Sequence, residues 1–420
     1  MGVSAEEALQ RVQSEQRVFV QGGAATPHTL IRGLLSHASR LKNVELIHLH
    51  TEGEIGYSDE AYRSSFRIAS LFVGSNLRKK MDYDRVDYLP CFLSEVPQLF
   101  RSRKRPIDVA LIHVSPPDSH GLCSLGVSVD IAKAAVESAS TIIAQVNPHM
   151  PRVHGDGILA FDEIDCFVDC EDILPERVDA LPNEAEIKIG RHVASLVEEG
   201  ATLQVGVGTL PNAVLSALSG HRHLGVHTET WSDGMRALIE SGVVDNSKKR
   251  VHPGRSVSSF IIGSRATYDF IHDNTSVIQL DAGYVNSPEV ISRNPKVVAI
   301  NSAVEVDLTG QVCADSIGHA IISGVGGQMD FIRGASLSEG GKPIIAITAR
   351  TKKGKSRLVS QLIPGAGVVT TRAHVHYVVT EYGIADLYGK TLSERAKSLI
   401  LLAHPDDRES LEREWRNLHR

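Results

Sequence analysis

Short β-branched runs recur along the whole chain, each followed by a stretch of helical periodicity, and this constrains the fold more than any other feature. Arg17-Val18-Phe19-Val20 leads into the turn Gln21-Gly22-Gly23-Ala24-Ala25-Thr26-Pro27, and a helix is expected over 29–38. Residues 44–50, 68–73, 109–114 and 141–146 repeat the strand theme. Runs that are apolar at consecutive positions, with helices between them, indicate parallel strands covered on both faces. Around 174–183 two prolines and several charges interrupt the pattern, and beyond them it restarts with a helix at 184–197 and a strand at 201–205. Further strands are expected at 224–227, 258–262, 277–280, 297–300, 343–347 and 377–380, and one helical region at 391–418. Two open α/β domains with mainly parallel sheets follow, 1–182 and 183–420, with a site in the crevice at strand carboxyl ends.

Composition narrows the function. Over 420 residues, 44 Lys and Arg stand against 50 Asp and Glu, a formal charge of -6, with no dense basic stripe. That excludes ordinary nucleic-acid binding. The cysteines, Cys91, Cys123, Cys166, Cys170 and Cys313, are odd in number and scattered, which argues for a reducing compartment and against a disulfide framework. The opening Met1-Gly2-Val3-Ser4-Ala5-Glu6-Glu7 is acidic, unlike a signal or transit segment, and Ser4 with Glu7 reads as a capping box. No apolar run nears the ~20 residues of a membrane span. The expectation is a cytoplasmic enzyme without a membrane partner.

Several motifs carry chemistry or imitate it. Gly206-Val207-Gly208-Thr209-Leu210-Pro211 joins a strand to a helix, where exposed amides attract anions. Pro211 replaces the third glycine of a dinucleotide fingerprint, so nicotinamide binding is disfavoured, and an ordinary βα turn stays open as the alternative. Ser323-Gly324-Val325-Gly326-Gly327-Gln328-Met329-Asp330-Phe331 concentrates three glycines, either for a ligand that approaches the backbone or for a tight packing turn. Lys353-Gly354-Lys355-Ser356 lacks the first glycine of a phosphate loop and reads as a solvated basic loop. The pairs His48/His50 and His374/His376, and His221, His223 and His227, lack metal-site spacing, so they are expected to be packing or hydrogen-bonded histidines with no metal. Glu229 ends an apolar run and precedes Thr230-Trp231-Ser232-Asp233-Gly234. It is either a crevice carboxylate or a carboxylate stabilising a helix N-terminus.

Three segments carry a resemblance: Val226-His227-Thr228-Glu229-Thr230-Trp231-Ser232-Asp233-Gly234, the glycine loop 323–331, and Thr371-Arg372-Ala373-His374-Val375-His376-Tyr377-Val378-Val379-Thr380-Glu381-Tyr382-Gly383-Ile384-Ala385. With Phe92-Leu93-Ser94-Glu95-Val96-Pro97, Val114-Ser115-Pro116-Pro117-Asp118 and Met150-Pro151-Arg152-Val153-His154-Gly155-Asp156, they resemble the acetyl-CoA hydrolase/transferase family, in its 4-hydroxybutyrate CoA-transferase branch. The resemblance implies two α/β domains of the CoA-transferase type and a homodimer or larger homo-oligomer. It implies a glutamate nucleophile at Glu229 and an oxyanion hole from the amides of Val207 and Gly327. Gly206, Gly208, Gly324, Gly326 and Gly327 become CoA-binding candidates, and Asn294 a candidate for positioning the second carboxylate. Coenzyme A enters as substrate, with no tightly bound cofactor, and the other partners are acyl-CoA and short-chain carboxylates.

The implied reaction is a sequence of acyl transfers through a glutamyl-CoA thioester. Three alternatives stay open on sequence: an acyl-CoA hydrolase using the same carboxylate, a sugar-phosphate isomerase of similar fold, and a non-catalytic CoA-binding protein.

Overall fold

The computed structural model describes Gly2 to Leu418, in two compact units. The first comprises residues 1–178, 257–285 and 322–326, and the second 179–256, 286–321 and 327–420. The first crossing falls four residues before the 182/183 boundary expected from composition. The two short returns to the first unit, 257–285 and 322–326, have no counterpart in the expected contiguous ranges. Such membership is decided by tertiary contact, which composition does not record.

The first unit is built on a seven-stranded sheet. Its strands are β1 Arg17–Val20, β2 Val44–His48, β3 Phe66–Ser70, β4 Val86–Tyr88, β5 Val109–Val114, β6 Thr141–Val146 and β7 Cys166–Asp169. Their spatial order is β7-β6-β5-β1-β2-β3-β4, and every pairing is parallel. The chain thus winds one way from β1 to β4 and the other way from β5 to β7, which puts a topological switch point between β1 and β5. All six residues of β5 are buried, as a strand covered on both faces requires. Phe19, Ile47, Ala110, Ile112 and Phe100 sit in the core on one side of this sheet.

The second unit repeats the plan. Strands β8 Thr202–Val205, β9 Gly225–Val226, β10 Val297–Asn301, β11 Lys342–Ala346, β12 Tyr377–Thr380 and β13 Gly383–Asp386 order as β9-β8-β10-β11-β12-β13. Only the β12–β13 pairing is antiparallel. Its switch point lies between β8 and β10. Helix Glu184–Leu196 opens this unit on a capping box in which Asn183 and Glu186 each satisfy the other's backbone amide.

The expected single helical region at 391–418 is two helices, Leu392–Leu402 and Pro405–Leu418. Pro405 has no N–H to continue the first helix, and it takes the first position of the second, where none is needed. Strands β4, β7 and β13 were absent from the expected set; each is short and alternates or carries charge, so it lacks the apolar run that marks a buried strand. Among the described residues no helix is long and apolar enough to cross a membrane.

Candidate active site in the second unit

Open α/β sheets bind ligands outside the carboxyl ends of their strands, at the switch point. In the second unit that place holds a cavity of about 350 Å³, walled by the turn 206–211, the end of β10 from Ile300 to Ser302, Thr348, Arg357 and Glu186. The turn after β8 is shaped by its glycines. Gly208 has φ +132°, a conformation closed to residues with a Cβ, and it caps the helix Thr209–Ala217. Gly206 faces open space, with no heavy atom within 4 Å of where a Cβ would sit. Among the described residues no backbone acceptor is matched to the amides of Val207, Gly208 and Thr209, so the turn presents donors to the cavity. Thr209 donates its hydroxyl to Glu186 at 2.5 Å, which ties this helix to the N-terminus of Glu184–Leu196. Arg357 supplies a positive wall; burial holds its pKa below the usual guanidinium range.

Glu229 comes off the end of β9, next to β8. His227 N–H donates to Leu203 O, and Thr228 Oγ1 bonds both the N–H and the C=O of Val205, the residue just before the Gly206 turn. The carboxylate is half-buried, in a segment whose neighbours His227, Thr228 and Thr230 are buried. Glu229 is not itself in the wall of the cavity, but two hydrogen bonds through Thr228 join its segment to Val205, the residue before the turn that is.

Asn286 Nδ2 donates to Glu229 Oε2 at 2.9 Å, and Asn286 is fully buried. Gly327 closes the same carboxylate from another side: a Cβ there would lie 2.1 Å from both Glu229 Oε2 and Asn286 Nδ2. Only a glycine lets the backbone come this near to the two side chains. Gly327 also caps the helix Gln328–Leu337. Nearby in sequence, Trp231 and Phe331 are fully buried, and the His227 ring lies 6.4 Å from that of Phe331.

The predicted residues divide accordingly. Val207, Gly206 and Gly208 form the turn at the cavity, and Glu229 and Gly327 meet each other. Gly324 and Gly326 belong to the first unit, where their glycine character has a packing cause. A Cβ on Gly324 would sit 2.9 Å from Leu71 O and from the Phe72 ring, and Gly326 has φ +54° against the same ring. Asn294 Oδ1 accepts from the amides of Arg250 and Val251 at 3.1 and 3.0 Å. The amide that reaches the Glu229 carboxylate, Asn286, was not among the predicted residues. It stands between the helices Ala282–Val285 and Pro288–Ser292, where asparagine is an ordinary turn residue and gives no signal of its own.

The remaining motifs resolve as local structure. Lys353, Gly354 and Lys355 are exposed. His48 is buried beside Tyr57, and His223 pairs with Asp245 at 2.7 Å. Burial pushes the thiols of Cys166 and Cys170 up.

Comparison with known proteins is consistent along the whole chain. A relative from Fasciola hepatica, named succinyl-CoA:acetate/propanoyl-CoA:succinate CoA transferase, is 49% identical over 97% of this chain and 86% of its own length. The 4-hydroxybutyrate coenzyme A transferase of Clostridium kluyveri is 46% identical, over 99% of this chain and 97% of its own. The crystal structure of RipA from Yersinia pestis superposes with a TM-score of 0.95 at 33% identity, covering 99% of this chain and 97% of that one. The acetyl-CoA hydrolase/transferase N-terminal domain matches residues 2–187 and the C-terminal domain residues 263–415. With both of its domains present in order and these relatives spanning nearly the full length, the chain belongs to the acetyl-CoA hydrolase/transferase family.

Proposed function

We propose that this protein is a CoA-transferase that moves coenzyme A from an acyl-CoA, acetyl-CoA or 4-hydroxybutyryl-CoA in type, to a short-chain carboxylate, with Glu229 as nucleophile. The observation that carries this reading is the Asn286–Glu229–Gly327 contact: a carboxylate that accepts from the Asn286 amide, against backbone that has no side chain in the way. Asn286 orients the carboxylate through Oε2, and the carboxylate attacks the thioester carbonyl. The tetrahedral intermediate collapses to a glutamyl–acyl anhydride and CoA thiolate. The thiolate then attacks the glutamyl carbonyl, forming a glutamyl-CoA thioester and releasing the donor's carboxylate. The acceptor carboxylate reverses both steps and leaves as the new acyl-CoA, which restores Glu229. The acyl-transfer energy of the thioester is kept throughout, first in the anhydride and then in the new thioester, and no redox partner is required. Amides of Val207 and Gly327 stabilise the oxyanions, with Gly206 and Gly208 as CoA contacts.

Both relatives carry transferase names, which supports transfer over hydrolysis. Under this reading the enzyme works by a ping-pong scheme in the cytoplasm, as a homodimer or larger homo-oligomer, with CoA as substrate and no tightly bound cofactor. Transfer demands that water be kept from the anhydride and thioester, and the reading assigns that exclusion to Trp231 and Phe331, both fully buried.

The test is Glu229→Gln, which keeps an acceptor for Asn286 and removes the nucleophile. Exchange between acetyl-CoA and a panel of acetate, propionate, butyrate, 4-hydroxybutyrate and succinate should fall on the order of 1,000-fold or more. Wild-type protein incubated with acyl-CoA should carry CoA on Glu229 by peptide mass spectrometry. Near-wild-type exchange by the variant ends this reading. CoA release without acceptor that matches the exchange rate over the whole panel assigns the site to hydrolysis.

A further inference from the structure

The strand that delivers Glu229 is the outermost of its sheet and only two residues long, Gly225–Val226. One side pairs with β8. The other side would leave the Val226 N–H and C=O without a strand to pair with, and here two side chains take the place of a strand. Asn246 Oδ1 accepts the Val226 N–H at 2.8 Å, and Lys249 Nζ donates to the Val226 C=O at 2.7 Å. Lys249 Nζ also donates to Arg255 O at 2.6 Å, closing the loop that carries both side chains.

The features around this pair are fitted to it. Lys249 is 4% exposed, and among the described residues its polar partners are these two main-chain carbonyls, with no carboxylate. Burial lowers its pKa to about 7. A neutral amine has two N–H donors, which is the number of carbonyls it meets. Gly225 makes room for its stem, since a Cβ there would lie 2.6 Å from Lys249 Cγ. Asn246 has φ +57°, a conformation that asparagine and glycine tolerate. Directly after Lys249 the chain is held by Asn294, whose Oδ1 accepts from the amides of Arg250 and Val251.

We propose that Lys249 and Asn246 are positioning residues for the reaction, a side-chain clamp on the free edge of β9 that sets where Glu229 stands relative to Asn286 and Gly327. The clamp acts on Val226, three residues before the carboxylate, and touches no reacting atom. This inference rests on Glu229 being the nucleophile.

The test compares the full-length wild type with Lys249→Met, which keeps the buried stem and loses the donor, and Asn246→Gly, which loses the acceptor while keeping the backbone conformation. Lys248→Met, at an exposed neighbour, is the control. Circular dichroism establishes folding, and single-turnover formation of the CoA adduct on Glu229 is followed by mass spectrometry beside steady-state kinetics. A displaced nucleophile should lower kcat and the adduct rate about 10- to 100-fold in each folded clamp variant, with the KM for acyl-CoA moved less than about threefold. Lys248→Met should match wild type. If Lys249→Met does not fold, Asn246→Gly decides. A folded clamp variant that forms the adduct at the wild-type rate overturns the clamp and leaves the nucleophile intact. A wild type that forms no adduct on Glu229 overturns the nucleophile first.

Discussion

The two units carry the same device, a strand, a glycine turn and a helix at a sheet's switch point, and use it in opposite ways. In the first unit the point between β1 and β5 is filled by the protein itself. Gln21 donates to Leu125 O and Ser128 O at 3.1 and 2.7 Å and accepts the His113 N–H at 2.6 Å. Gln145 Oε1 reaches across to the amides of Thr29 and Leu30, at the start of the helix His28–Ser36, at 2.9 and 3.4 Å. Asn147 bonds His113 Nε2 at 2.9 Å. In the second unit the corresponding place is an open cavity with unmatched amides. A helix N-terminus attracts an anion in either case. Whether a ligand can use it depends on whether a side chain from elsewhere in the sheet already has.

The strongest way to sharpen this contrast is to add one methyl group to the open side. Gly327→Ala would put a Cβ 2.1 Å from Glu229 Oε2 and Asn286 Nδ2. Both obstructing atoms are side-chain ends, so the fold can give way while the carboxylate loses its place. Exchange activity should drop about 100- to 1,000-fold with the melting temperature nearly unchanged. Wild-type kinetics in the variant would mean that the approach of Gly327 has no bearing on the reaction.

Acid should separate the units next, because the first unit buries His48 and His113 in neutral form. Burial holds both His48 and His113 at about 4, against 6.5 for an unfolded histidine. Between those values the unfolded chain binds protons that the folded one does not, so stability is present above pH 6.5 and is lost as pH falls toward 4. From pH 7 to pH 5.5 the pair should cost about 2 to 3 kcal/mol. Hydrogen exchange should lose protection in β2 and β5 before β10 and β11. Equal loss in both sheets would remove the distinction.

Gly22→Ala is the counterpart of Gly327→Ala on the filled side. Its Cβ would meet the backbone oxygen of His50 at 2.4 Å, and backbone cannot swing aside. Destabilisation of about 2 kcal/mol is expected, read from denaturant unfolding, with kcat per folded molecule unchanged. A loss of kcat without a loss of stability would show that the filled turn takes part in the reaction after all.

The sequence made both switch points visible and could not say which was open. Apolar runs such as Val109–Val114, interrupted only by His113, announce themselves because a strand buried on both faces does not alternate with polar positions. Each glycine turn was legible for the same local reason. The plug was not, since Gln145 lies 116 residues from Thr29 and glutamine in a strand carries no label for its distant partner. Glu229 was legible by its place at a strand end. Asn286, which donates to it, lies 57 residues on and carried no signal. Asn286 and Asn294 are both ordinary loop asparagines in the sequence, told apart only by what the fold brings to them: a carboxylate to Asn286, two backbone amides to Asn294.

The mildest change tests the open side with no collision at all. A methyl group on Gly206 would meet no heavy atom within 4 Å, and Gly206 is not among the residues with positive φ. Gly206→Ala should therefore leave stability within about 0.5 kcal/mol of wild type, or raise it slightly by restricting the unfolded chain. The methyl group would project from the wall of the cavity, where the proposed CoA contact leaves it no room. KM for acyl-CoA should rise several-fold, roughly tenfold at most, with kcat little changed, because Glu229, Asn286 and Gly327 are untouched. Unchanged KM together with unchanged stability would mean that the cavity at the β8/β10 switch point is not where the substrate lies. A fall in stability of more than 1 kcal/mol (about the cost of a strained or crowded methyl group) would instead show the turn to be as closely packed as the one in the first unit.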